Sequence, residues 1–121
     1  MASPAFPHLV PVLPSSDIAR DVAWYETHTG FTRLGGDHMY VILGRGPLVL
    51  HLQWHADTPE DPLLGGSVLR WFVEDIHPLV EEFVARGTIS RSKLQENTPW
   101  GTHEFGFYDL NGNALFVVQD A

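Results

Sequence analysis

Cysteine is absent from the 121 residues, which excludes disulfide frameworks, thiolate nucleophiles and cysteine-ligated zinc. Cations are scarce as well: 7 Lys and Arg stand against 15 Asp and Glu, a formal charge of −8 with His neutral. That balance argues against a protein that follows nucleic-acid phosphates or an anionic membrane surface, so neither partner is expected. It suits a cationic ligand, and equally an acidic surface kept for solubility. No apolar run approaches the ~20 residues of a membrane helix. No basic residue precedes Arg20, and the first residues do not read as a signal peptide. A soluble, cytoplasmic protein is expected. The Gly-x-Ser-x-Gly elbow, the dinucleotide fingerprint and the Walker loop are missing too, while Gly35-Gly36 and Gly44-Arg45-Gly46 read as hairpin turns. No catalytic residue is assigned and no cofactor is expected.

What is present suffices for one domain: 44% of residues are hydrophobic and 12% aromatic. Two helices stand out. One follows Ser15-Ser16-Asp17 and carries Ile18, Val22 and Tyr25 at helical spacing before Gly30. The other follows Asp75 and carries Ile76, Leu79, Val80, Phe83 and Val84 before Gly87. An offset of 58 superposes Asp17 on Asp75, Ile18 on Ile76, Val22 on Val80 and Tyr25 on Phe83. Strand-like segments surround each helix: 7–13, 31–35, 38–43 and 47–54 in the first half, then 67–74, 88–94, 103–109 and 113–119 in the second. Asn111-Gly112 marks a hairpin turn in the latter. The fold class is therefore α+β, with two β-α-β-β-β modules at about 7–54 and 67–119 joined by an acidic linker at 55–66. Pro7, Pro11 and Pro14 flank or interrupt the first run, which suggests an edge strand or an exchanged arm.

An ordered set of short motifs then carries a resemblance. It comprises Pro11–Asp17, Trp24-Tyr25, Gly30-Phe31, Val41–Gly46 leading to Leu50-His51-Leu52, Asp61-Pro62-Leu63, Trp100-Gly101, Glu104-Phe105 and Asp109–Asn113. Together they resemble the vicinal oxygen chelate superfamily (glyoxalases, bleomycin resistance proteins and dioxygenases), and within it the bleomycin resistance proteins. The resemblance implies sheets that curl around a cleft, and a homodimer whose N-terminal arms are exchanged. It also implies that the four metal-ligand positions of the superfamily's enzymes fall on Val10, His51, Val68 and Phe116. Only His51 could bind a metal, whereas a stable transition-metal site needs three or four N or O ligands. The resemblance thus implies a metal-free site. A set made of His8, His51 and Glu104 is the alternative, and it requires a slip of two residues along the first strand, roughly 7 Å.

Strand alternation aims His51, Gln53, Arg70, Phe72, Glu104 and Phe116 at the cleft, with Leu52, Leu69, Trp71 and Phe105 on the core side. Trp54 and Trp100 are expected at the mouth, as faces for a planar ligand or as dimer contacts. Arg70 would repel a cationic ligand unless Glu104 neutralises it. The leading expectation is a binding protein that sequesters bleomycin-like or other cationic planar antibiotics, with Glu104 lending negative charge to the groove. A glyoxalase- or dioxygenase-like enzyme with an atypical metal site, and a binding or regulatory module for another metabolite, stay open beside it.

Overall fold

A computed structural model describes residues 4–121. The elements run β1 (Val12–Ser15), α1 (Ile18–Thr29), β2 (Thr32–Gly36), β3 (Tyr40–Arg45), β4 (Leu48–Trp54), β5 (Val68–Phe72), α2 (His77–Ala85), a 3-10 turn (Arg91–Lys93), β6 (Thr102–Tyr108) and β7 (Ala114–Asp120). They form an α+β fold with two sheets, ordered β1-β4-β3-β2 and β5-β7-β6. Each sheet begins with a parallel pair, and only the leading strands keep the sequence offset, Arg70 standing 58 residues after Val12. Val12 lies opposite His51 in the first sheet, and Arg70 opposite Phe116 in the second.

The two helices are capped differently for one covalent reason. Asp17 caps α1 by accepting from the Arg20 N–H. The residue that the offset places on Arg20 is Pro78, which has no N–H to give. Ile76 stands at the N-cap of α2 with no side-chain cap, Asp75 accepts from the His77 N–H instead, and α2 starts one residue later than the offset predicts, with Pro at its first turn. At the far end of α1, Gly30 takes φ +74°, and a Cβ there would meet the Arg86 guanidinium at 2.8 Å.

Two expected strands are shorter or missing. The first run, 7–13, contributes only Val12 and Leu13 to β1, and residues 4–11 have no regular structure. Pro7 and Pro11 cannot donate to a ladder; Pro11 only accepts, from the His51 N–H. Segment 88–94 is not a strand. Ile89 turns into the core, Arg91–Lys93 form the 3-10 turn, and pairing with β6 shrinks to the single bridge Gln95↔Glu104. The remaining strands lie within two residues of their expected positions.

One hydrophobic core joins the halves. Leu50 and Leu52 from β4, Trp71 from β5, Phe105 from β6 and Leu115 and Val117 from β7 face the helices, and Phe31 stacks on Trp71 with centroids 4.9 Å apart. Polar junctions reinforce it. The buried Tyr25 hydroxyl donates to Asp109 at 2.6 Å, and Asp109 also accepts from the N–H groups of Asn111 and Asn113 and from Asn113 Nδ2. Asn111 Nδ2 donates to the buried Asp21, and Asn111 Oδ1 accepts from Arg20. The β6–β7 turn is thereby fastened to the first turns of α1. Arg45 adds a two-pronged ion pair to Glu82 of α2, at 2.6 and 2.7 Å.

Candidate functional site

With the inner faces of both sheets committed to the core, the chemistry-bearing residues stand on the outer faces. On β4 the alternation is strict: Leu50 and Leu52 are buried, while His51 and Gln53 point the other way. Trp54 shares parity with Leu50 and Leu52. It packs on the core, and its indole N–H donates to the Ser16 carbonyl. The expectation that Trp54 lines the mouth is corrected here, since its position in the alternation places it on the core side.

The outer face of the three-stranded sheet gathers most of the candidates. Arg70 and Phe72 on β5 alternate with inward Leu69 and Trp71. Glu104 on β6 is only 3% exposed, yet it lies on the same outer face, covered by its own partners. Arg70 donates to both of its carboxylate oxygens, at 2.9 and 3.2 Å. Thr102 Oγ1 and the Trp100 indole N–H each donate to Oε1 at 2.6 Å. Four donations and an adjacent guanidinium hold the carboxyl down at about 2, foremost the Arg70 hydrogen bond, against burial that pushes it up. The same contact raises Arg70 above its ordinary value.

Arg70 in turn lies over the Phe116 ring, with its guanidinium carbon 5.5 Å from the centroid. Phe116 can lie flat on the sheet because its register partner is Gly106; a Cβ there would stand 2.5 Å from the ring. Trp100 is presented by a tight turn that Thr98 and Thr102 close with paired backbone and hydroxyl hydrogen bonds. Gly101 supplies the positive φ that turn needs, and Trp100 remains 60% exposed. The result is a fixed platform in which the Arg70 guanidinium covers Phe116 and shares Glu104 Oε1 with the Trp100 indole. Glu104 does neutralise Arg70. Its carboxylate is thereby occupied, however, so it does not offer the open groove a free negative charge.

On the four-stranded sheet, His51 and Gln53 are joined by Tyr40, whose hydroxyl is 2.6 Å from His51 Nδ1. Sequence reading missed Tyr40, although the signal was present. A hairpin closing at Arg45 and Leu48 pairs residues whose numbers sum to 93, which puts Tyr40 opposite Gln53 and diagonal to His51. Thr102 was missed too, and its alternation with Glu104 would have found it. Among the described residues, no hydrogen bond joins the His51 group to the Arg70 group.

The residues do not fit a metal ion. Val68 is an exposed apolar side chain, Phe116 is engaged with Arg70, and the β1 residue opposite His51 is Val12. The alternative set is not assembled in the chain either. Glu104 is enclosed by its four donors, and no group of three or more His, Asp or Glu among the described residues is placed to hold a metal. No helix among the described residues is long and apolar enough to cross a membrane.

No family model and no curated protein matches this sequence. Solved structures do. A bleomycin-binding protein complexed with bleomycin superposes with a TM-score of 0.76 at 25% identity, over 96% of this chain and all of that one. A bleomycin resistance determinant encoded on the transposon Tn5 gives 0.72 at 26% identity, over 95% and 98% of the two chains. A glyoxalase/bleomycin resistance protein/dioxygenase from Nocardioides gives 0.75 at 19% identity, over 98% and 86%, a likeness of fold.

Proposed function

We propose that this chain, a member of the vicinal oxygen chelate superfamily, is a cytoplasmic, metal-free binding protein that sequesters bleomycin-like or other planar, cationic antibiotics. The observation that carries the reading is the platform on β5, β6 and β7. Trp100 offers an aromatic face held in place by Glu104, and beside it the Arg70 guanidinium, laid over Phe116 and already neutralised by Glu104, offers a second flat surface. A flat heteroaromatic unit stacks on such a surface, each contact contributing about 0.5–1.5 kcal/mol. A cationic tail is drawn by the whole acidic surface, over about 8 Å at physiological ionic strength, rather than by Glu104. His51, Gln53 and Phe72 supply the remaining contacts. Sequestration needs affinity and no chemistry.

Titration calorimetry with bleomycin tests this. Saturable heat is expected, and Trp100→Ala should weaken binding about ten-fold by removing the stacking surface. Absence of saturable heat at concentrations on the order of tens of micromolar overturns the bleomycin reading and leaves the competing one, an enzyme of the glyoxalase or dioxygenase type, to be sought with metal-supplemented assays.

The site also calls for a second copy of the chain. The outer faces leave Val12 and Val68 exposed beside the ligand contacts, and the arm carries Phe6 and Leu9 at 88% and 89% exposure. Such apolar surface is costly on a monomer. A two-fold homodimer that exchanges the segment around Pro7–Pro14 would cover it and bring an outer face of one copy against an outer face of the other. Sedimentation should show a dimer at micromolar concentration; a monomer there refutes the arrangement.

A further inference from the structure

Tyr40 and His51 form the one side-chain pair described on the open face of β3 and β4 whose partner atoms define a proton position. Both are half-buried, their rings meet edge to face with centroids 5.2 Å apart, and the hydroxyl oxygen lies 2.6 Å from Nδ1. A phenol is a better proton donor than a neutral imidazole N–H, and an imidazole nitrogen a better acceptor than a phenol oxygen. The hydrogen in this bond therefore belongs to Tyr40, and Nδ1 accepts it. A neutral imidazole carries a single N–H, which must then sit on Nε2. Nε2 has no hydrogen-bond partner among the described residues.

We infer that Tyr40 fixes His51 as the Nε2–H tautomer, and that this N–H is the donor through which the β3–β4 face takes a carbonyl or other uncharged acceptor of the bound ligand. The inference rests on the binding function proposed above and deepens it: His51 is the contact and Tyr40 the positioning residue.

Two measurements test it. In the long-range proton–nitrogen spectrum of labelled protein near pH ~8, His51 should carry its proton on Nε2. Tyr40→Phe should convert it to a mixture of tautomers and leave the other histidines unchanged. In calorimetry with bleomycin as the probe, His51→Ala should weaken binding about ten-fold and Tyr40→Phe about three-fold. His51→Gln, which restores an N–H donor, should recover most of the loss. Unchanged thermal midpoints for the three variants separate these effects from folding. A proton on Nδ1 in the wild type overturns the inference, as does bleomycin bound equally well by wild type and His51→Ala. If bleomycin does not bind the wild type at all, the binding function falls, and the tautomer spectrum still decides for or against the pairing.

Discussion

Replacing Glu104 with Gln should cost about 3 kcal/mol of stability at neutral pH, and this cost should disappear in acid. The carboxyl titrates near 4.5 when unconstrained and at about 2 in the folded protein, where Arg70, Thr102 and Trp100 donate to it. A folded-state value below the unfolded one means that the ionised group stabilises the fold. That contribution is complete above about pH 4.5 and drains away as the pH falls from there to about 2. Glu104→Gln keeps the shape and removes the charge, so its stability curve should lack this segment and meet the wild-type curve near pH ~2. Urea unfolding of both proteins across that range, followed by tryptophan fluorescence, provides the comparison. A difference that stays constant from neutral to acid pH would show that packing, and not the ion pair, accounts for the loss.

Asp109→Ala should be of similar or larger size, about 3–5 kcal/mol, and independent of the ligand. The carboxylate takes hydrogen bonds from the Tyr25 hydroxyl, from Asn113 Nδ2 and from two backbone N–H groups, in a region where Tyr25 and Asn113 are fully buried. Truncating it strands all of these donors away from water. Tyr25→Phe removes one donor and leaves the carboxylate its other partners, so it should cost only about 1 kcal/mol. The tyrosine contributes nothing to pH dependence below strongly alkaline conditions: burial foremost, then the Asp109 charge, push its phenol far above the ordinary range. If urea unfolding gives the two variants equal losses, Asp109 is a partner of Tyr25 alone and not a hub.

The repeat of capped helix and strands was legible because its cause is local: apolar spacing, Asp before each helix, Gly after it, and Asn-Gly in the last turn. Segment 88–94 was misread because β-branched and apolar residues score alike whether they pair or not. What decides there is tertiary, the burial of Ile89 and the Ser-Arg-Ser turn that follows. Alternation placed His51, Gln53, Arg70, Phe72 and Phe116 on the outer faces, because side-chain parity along a strand admits little choice. The same rule applied one residue further would have put Trp54 with Leu52. Glu104 shows the limit of such reading. Parity gives its face, but the four donors that occupy it arrive from β5, from its own strand and from the Trp100 turn, and no pattern within β6 announces them.

Both sheets are completed within their own half of the chain, since no strand among the described residues crosses from one to the other. In kinetic terms, β1–β4 and β5–β7 can each close over a short stretch of chain before the halves meet, which keeps loop-closure entropy modest despite the parallel pairings. The Asp109 and Asn111 contacts to α1 span 84 and 90 residues and can form only when the halves dock. Contacts made that late are absent from an early transition state, so losing them is felt as faster unfolding more than as slower folding. The junction between the halves thus governs how long a folded molecule lasts, while the repeats themselves govern how quickly one is made.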